Sequence, residues 1–472
     1  MEKDFEKNRI EQKEYESDIG SILQTFRSFG IKVESIKETE GAAVTLYEVT
    51  PSVGTRISKI RNLNDEIAVA LGVKSVRIIA PMENGTIGIE VPNRQRQIIP
   101  VADILQSKEF LQADMELPCA IGKTITDEVF VADLVDMPHL LVAGATGQGK
   151  SVGLNVLILS LLRKKTPDEL KLMLIDVKRV EFSPYSRIEN IYLVCPVITE
   201  TDEAQRELEA LCKLMDERYE LLSSLGVRNI REYNALCIAE PMPYIVTVID
   251  EYGDLILTSD TKMEKTICRI TQKARAVGIH LIIATQRPDS KVVTGNIKAN
   301  FPTRIAFRTT MGIDSRVVID QRGAEKLSGR GDMLFFDGNG TKRMQCAYVD
   351  VEQVAAACEA ISQKYAGYEN KPVMKEPKPI EPVRVVRLTS ELHIFTKIAA
   401  LLVAEEQAVS EIWLKNKMNI GFIDARKIFS QLKQLDIIES VPYFTTGQRR
   451  RVLMHDKEEI ERLIEQCEQI QP

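Results

Sequence analysis

Leu140-Leu-Val-Ala-Gly-Ala-Thr-Gly-Gln-Gly-Lys-Ser151 decides how the rest of the chain is read. Leu140 to Ala143 predict a short buried strand and Gly144 to Lys150 a glycine-rich turn. The apolar run from Ser151 to Leu162 predicts a helix. Gly144 through Ser151 spell G-x-x-x-x-G-K-S, the phosphate-loop pattern. Gly144, Ala145, Thr146, Gly147, Gln148, Gly149, Lys150 and Ser151 are therefore the candidate ATP-binding residues. Glycines let successive backbone N–H groups converge on one concavity, and the helix N-terminus adds positive partial charge there. Lys150 would reach the β- and γ-phosphates, and the Ser151 hydroxyl would hold Mg²⁺. At ordinary residue frequencies the bare pattern arises by chance in roughly one or two chains per hundred of this length. A strand before it and a helix after it lower that figure further.

Composition sets the frame. The chain has 472 residues, enough for two or three domains, with 44% hydrophobic and 28% charged residues, as in ordinary globular proteins. A net charge of −6 means that any nucleic-acid contact must come from local basic patches. The eight cysteines never form C-x-x-C and the four histidines stand alone, so neither a metal cluster nor a disulfide framework is predicted. A highly charged start argues against a signal peptide, and no run of 18 apolar residues is present. The expected compartment is the cytoplasm, with membrane association only through a partner or a missing anchor.

Along the chain, residues 1–18 predict a charged tail and 19–110 a small α/β domain. Its expected elements are a helix with Ile22, Leu23, Phe26 and Phe29 on one side, a helix over Ile57–Leu71, and strands at Ala42–Val49, Ser75–Ala80 and Gly85–Val91. It carries no recognisable chemistry and reads as a docking or packing module. Residues 111–365 predict an α/β core. Strands at Lys171–Asp176, Tyr244–Ile249, His280–Ala284, Arg304–Phe307 and Asp332–Phe336 are nearly all apolar, which predicts a parallel sheet covered on both faces. The stripe Leu208, Leu211, Met215 and Leu222 on the long helix Asp202–Leu225 is expected to be core rather than a partner surface. Four prolines between Tyr368 and Pro382 make 366–387 a stiff linker. Beyond it, 388–455 reads helix, helix, helix, hairpin, the layout of a winged helix, and 456–472 a terminal helix or tail.

The strand Tyr244–Ile249 ends in Asp250-Glu251. An acid at that place can order Mg²⁺ beside the phosphate loop, and the next one can polarise the attacking water. Gln286, after the strand at His280, would face the γ-phosphate. Arg304 and Arg316 are candidates for an arginine supplied in trans to a neighbour's nucleotide. For DNA, Arg316, Arg322, Lys326 and Arg330 share a glycine-containing stretch, Asp314–Asp332, that reads as a flexible basic loop. Arg426 and Lys427 lie on the third C-terminal helix, and Arg449, Arg450 and Arg451 on the wing. Contacts of this kind would position the protein on a duplex without reading its sequence. A solvated charged face is the plain reading of each patch.

Taken together, these segments resemble the FtsK/SpoIIIE double-stranded DNA translocases from about Ile19 to Met454. The telling stretches are Pro138–Ser151, Val248–Glu251, Ala276–Pro288, Ile297–Phe307, Asp314–Arg316 and Gly323–Glu325. The resemblance implies a small α region, a RecA-like motor with a parallel sheet and a C-terminal winged helix. It also implies a homo-oligomeric ring, usually a hexamer, that threads duplex DNA and hydrolyses ATP between subunits. Work in chromosome partition, cell division or mobile-element transfer follows, with recombinase or division partners reached through the winged helix. In the third helix the family commonly reads Ile-Gly-Tyr-Asn-Arg-Ala, whereas this chain reads Ile420-Gly-Phe-Ile-Asp-Ala425; Asp424 would repel phosphate. Two other classes stand beside this one: an ATPase of the same type that drives protein secretion, and a DNA-binding regulator for which ATP is a switch. A switch has no need of the water-activating carboxylate, and secretion ATPases usually carry tandem motor domains.

Overall fold

The computed structural model describes residues 18–82, 84–236, 241–259, 262–370 and 373, and then 393–420, 422–434, 437–438, 450–458 and 460. The charged tail, most of the proline linker and the end of the chain lie outside them. One compact unit comprises 1–219 with 241–375, and a second 220–240 with 376–472. Among the described residues no helix is long and apolar enough to cross a membrane.

The N-terminal part opens with α1 (Asp18–Ser28), which buries Ile22 and Phe26, whereas Phe29, expected on the same side, falls just past the helix end and is half exposed. A four-stranded sheet follows, in the order β1 (Val33–Glu40), β2 (Val44–Pro51), β4 (Ile87–Pro92), β3 (Arg77–Ile79). Its pairs are antiparallel. The helix predicted over Ile57–Leu71 is two, α2 (Ile57–Arg61) and α3 (Asn64–Ala70). The break lets Ile60, Leu63 and Ile67 all reach the core that α1 and the sheet enclose.

The larger sheet has nine strands in the order β6-β5-β13-β12-β11-β7-β10-β9-β8. Five run parallel: β8 (Leu170–Ile175), β9 (Tyr244–Ile249), β10 (Ile279–Thr285), β7 (Leu140–Ala143) and β11 (Thr303–Phe307). Every residue of these five strands is buried, as strands covered on both faces require. The expectation of a parallel sheet fails at Asp332–Phe336. That strand, β12, returns antiparallel to β11 and continues into β13 (Thr341–Cys346), β5 (Pro118–Thr124) and β6 (Val129–Asp133), antiparallel throughout. The connection from β12 to β13, Asp337–Gly340, is too short for a crossover, whereas the one from β11 to β12 holds the helix Gly312–Ile319 and still returns antiparallel. The strand ending at Asp176 lies at the sheet edge, and β10 is the strand set between the loop strand β7 and β9.

The helix after the phosphate loop, α4 (Lys150–Lys164), has buried residues on nearly every side, from Leu154 to Leu162. On α5 (Thr201–Ser224), Leu208, Leu211, Met215 and Leu222 are all buried, which is the core role expected of them.

Two histidines are locked inside this sheet. His139 Nδ1 accepts the Leu281 amide at 3.0 Å, and His280 Nδ1 lies 2.8 Å from the Pro138 carbonyl. Burial, with His280 beside it, lowers His139 to about 3, and burial lowers His280 to about 4. Unfolded, each takes up a proton near pH 6.5. The folded chain refuses it, so the stability these rings lend is complete above pH 6.5 and is lost as pH falls toward 4. At pH 5 the loss is about 2 kcal/mol for each ring. His280→Phe should remove roughly half of that pH-dependent loss in denaturant titrations compared at pH 7 and pH 5. An unchanged pH slope would show that the ring is already charged when folded.

In the second unit α6 (His393–Val403) is followed by α7 (Glu411–Met418) and α8 (Phe422–Gln434). They share a core of Val403, Leu414, Ile428, Phe429 and Leu432. The strand Ala408–Val409 pairs antiparallel with Arg450–Arg451, and Ile438 bridges Val452. Residues 439–449, which carry the expected hairpin tip and Arg449, lie outside the described residues. So do the side chains of Arg426, Arg450 and Arg451.

Candidate functional site

The carboxyl ends of β7, β9 and β10 meet, as parallel strands in one sheet must, and each ends in a residue expected to touch nucleotide. The loop Gly144–Gly149 turns tightly off β7. Gly149 has φ 117°, and a Cβ there would stand 2.8 Å from the Gly331 nitrogen, so no other residue fits. The Gly331 amide donates to the Gln148 carbonyl at 2.9 Å, and the Ala145 amide to the Arg308 carbonyl at 2.9 Å. The loop is thereby braced from the β11 side before any ligand arrives.

Lys150 is 3% exposed and donates to Asp250 Oδ1 at 2.7 Å and to the Asp250 carbonyl at 2.6 Å. Burial pushes the Asp250 carboxyl above its usual range, against the pull of the Lys150 ammonium, and Asp176 and Glu251 add to the rise. The loop's cation and the metal-ordering acid are thus paired with each other. The pair fits a Mg²⁺-nucleotide: Lys150 is a cation that would hold phosphate, and Asp250 an anion that would order the metal. The Ser151 hydroxyl and the Asp250 carboxylate are the hard oxygen donors such an ion takes.

Glu251 lies 1% exposed at the start of the next helix and accepts hydrogen bonds from Thr285 Oγ1 (2.8 Å), the Gln286 amide (3.1 Å) and Lys178 Nζ (3.0 Å). The Gln286 side chain turns the other way and accepts the Thr146 hydroxyl at 2.7 Å. One residue therefore touches both the water-side acid and the phosphate loop. Nothing in the periodicity of the chain marks Lys178.

A cavity of about 880 Å³ opens over the loop, large enough for a nucleotide. Its far wall holds Arg94, Arg96 and Ile98, from the segment after β4, with Tyr348 from the segment after β13. Arg96 is tied to the motor by hydrogen bonds to the Ser328 carbonyl (3.1 Å) and the Gly329 carbonyl (3.2 Å). This wall is the part of the site that sequence reading missed.

Three expectations change. Arg304 is 7% exposed and spends its guanidinium on the carbonyls of Phe301, Val318 and Lys298 and on the Asp320 carboxylate. An arginine so committed cannot be offered to a neighbour. Arg330, expected among duplex contacts, lines the cavity over the phosphate loop. The stretch Asp314–Asp332 is not a flexible loop, for it begins inside a helix, Gly312–Ile319, and contains a further helical turn at Ala324–Lys326. Arg316 and Arg322 are exposed on it, and Lys326 is half-buried.

A phosphate loop between a buried strand and helix, with an acid pair one strand beyond β10, defines a P-loop ATPase-type motor fold. Two family models match the chain, the FtsK/SpoIIIE family over residues 100–290 and the FtsK alpha domain over residues 1–93. The chain belongs to the FtsK/SpoIIIE family. It is 40% identical over 447 residues to the DNA translocase FtsK of Caldanaerobacter subterraneus subsp. tengcongensis, covering 94% of this chain and 62% of that protein. Against the DNA translocase SpoIIIE of Bacillus subtilis (strain 168) the figures are 39% over 455 residues, 94% and 56%. The chain therefore spans about three fifths of the length of these relatives. Among solved structures it is similar to the pCW3 conjugation coupling protein TcpA, monomer form with ATPγS. The TM-score is 0.52 at 25% identity, over 72% of this chain and 98% of that one.

Proposed function

We propose that the chain is an ATP-driven motor on double-stranded DNA, working as a closed ring of copies, with six the expected number. The observation that carries this is the meeting of Lys150, Asp250, Glu251 and Gln286 at one point of the sheet. In this reading the loop amides and Lys150 hold the phosphates. Mg²⁺ at Ser151 and Asp250 supplies neutralisation of the charge that builds on the phosphate oxygens. Glu251 takes the proton from the attacking water, and Gln286 senses the γ-phosphate through its place between Glu251 and Thr146. Arg316, exposed on its helix, is the remaining candidate for an arginine reaching a neighbour's nucleotide. The exposed Arg322 and Lys427, with Lys326, are the proposed duplex contacts, and the C-terminal part is proposed to be a winged helix. Family membership and the named activity of the two curated relatives support the reading.

The test is the ATPase rate with and without long linear duplex, measured together with sedimentation. We expect the duplex to raise the rate about ten-fold or more and to draw subunits into one large species. A rate indifferent to duplex, or a lone subunit with ATP and duplex both present, ends the reading.

A further inference from the structure

Both oxygens of Glu251 are occupied. Oε1 accepts Thr285 Oγ1 and the Gln286 amide, while Oε2 accepts Lys178 Nζ at 3.0 Å and shares the same amide at 3.2 Å. A general base must turn a lone pair to the water it deprotonates. In this arrangement a full positive charge stands on the second oxygen, and the side chain has almost no exposed surface. The conformation is a resting one.

Of the three donors, two sit at the end of β10, where the sheet fixes them. Lys178 alone comes from a loop, the one after β8, on a four-carbon stem with 37% of its side chain exposed. It also has a second acid within reach: Asp254 Oδ2 lies 3.4 Å from the same ammonium, three residues beyond Glu251. Arg287 Nη1 stands 3.9 Å from the other oxygen of Asp254, so that carboxylate is already oriented by a neighbour. Burial works against the Lys178 charge, but Glu251 and Asp254 together hold its pKa above the ordinary lysine value.

We propose that Lys178 is a latch on Glu251, released for hydrolysis by passing its ammonium from Glu251 to Asp254. Latched, Glu251 has its second oxygen held against a full positive charge, which makes it a poorer base. Unlatched, it keeps two neutral donors that aim it and gains a free lone pair. Lys178 acts through Glu251 and is a positioning residue. The inference rests on the reading of Glu251 as the water-activating acid, and it supplies a place where duplex binding can control turnover.

The latch gives opposite signs for its two ends. Lys178→Met should raise the duplex-free ATPase rate about ten-fold and flatten the stimulation by duplex, with the duplex-saturated rate within about three-fold of the parent. Asp254→Asn leaves the ammonium only Glu251 and should lower the duplex-free rate about three-fold or more. Lys178→Arg keeps the charge and should restore most of the stimulation. The double variant Lys178→Met/Asp254→Asn should behave as Lys178→Met, because the lock is gone. Binding of a fluorescent ATP analogue should be equal in all four, and each should melt near the parent. A Lys178→Met protein that is slower without duplex, or stimulated by the parent's factor, overturns the latch. If Glu251→Gln hydrolyses at the parent rate, the underlying assignment of Glu251 fails instead. If Glu251→Gln is dead and Lys178→Met is no faster, only the latch fails.

Discussion

Glu251→Gln should bind nucleotide as the parent does and hydrolyse it at least about 10²-fold more slowly. The amide keeps the shape of the side chain and can still accept from Thr285 and from the Gln286 amide, so the strand ends stay where they are. What it lacks is a basic oxygen, and with it the carboxylate that faces Lys178. The effect should therefore fall on turnover alone. Lys150→Ala separates from it cleanly. That change removes the only ammonium at the end of the loop and leaves Asp250, 1% exposed, without its partner. Nucleotide affinity should drop about 10- to 10²-fold, as for the loss of hydrogen bonds from a charged group. The check is paired: equilibrium titration with a fluorescent analogue, and single-turnover hydrolysis at saturating nucleotide. Equal turnover in the parent and Glu251→Gln would remove the water-activating role.

The second large effect is on stability. Arg343, on β13, donates to Glu90 Oε2 at 2.8 Å and to both oxygens of Asp332 at 2.9 and 2.7 Å. Glu90, on β4, also receives Arg77 from β3 at 3.1 Å, and Arg77 reaches Thr341 at 3.3 Å. Glu90 is fully buried and Arg343 and Asp332 nearly so. Two cations and two anions thus balance, with Glu90, Asp332 and Arg343 buried, across the join between the four-stranded sheet and the nine-stranded one. Arg343→Met strands the buried Asp332 carboxylate, leaves Glu90 only Arg77, and should cost about 3–5 kcal/mol. Chemical denaturation followed by intrinsic fluorescence measures it. Limited proteolysis should show cleavage near the join before the motor is cut. A loss under about 1 kcal/mol would mean that water already reaches the group.

Much of the motor was legible because its signals are local. The phosphate loop, the apolar strands and Asp250-Glu251 each declare themselves within a dozen residues, and strand ends in one parallel sheet must converge. What the sequence hid depends on distance or on polarity. β1 was missed because Val33–Glu40 carries four charged residues and no alternation, being an edge strand with little to bury. β12 read as parallel because a short apolar strand looks the same in either direction, and the helix Gly312–Ile319 before it imitates a crossover. Arg304 looked available because an arginine in a strand gives no hint that four acceptors surround it. Lys178 meets Glu251 across 73 residues of chain, a pairing no spacing rule predicts.

The wall of the nucleotide cavity built from Arg94, Arg96 and Ile98 carries a mechanical consequence. These residues follow directly on β4, so the first sheet is fastened to the chamber roof by Arg96 and to its flank by the Glu90–Arg343 group. Swelling or collapse of the chamber must drag the whole N-terminal layer along as a rigid cap.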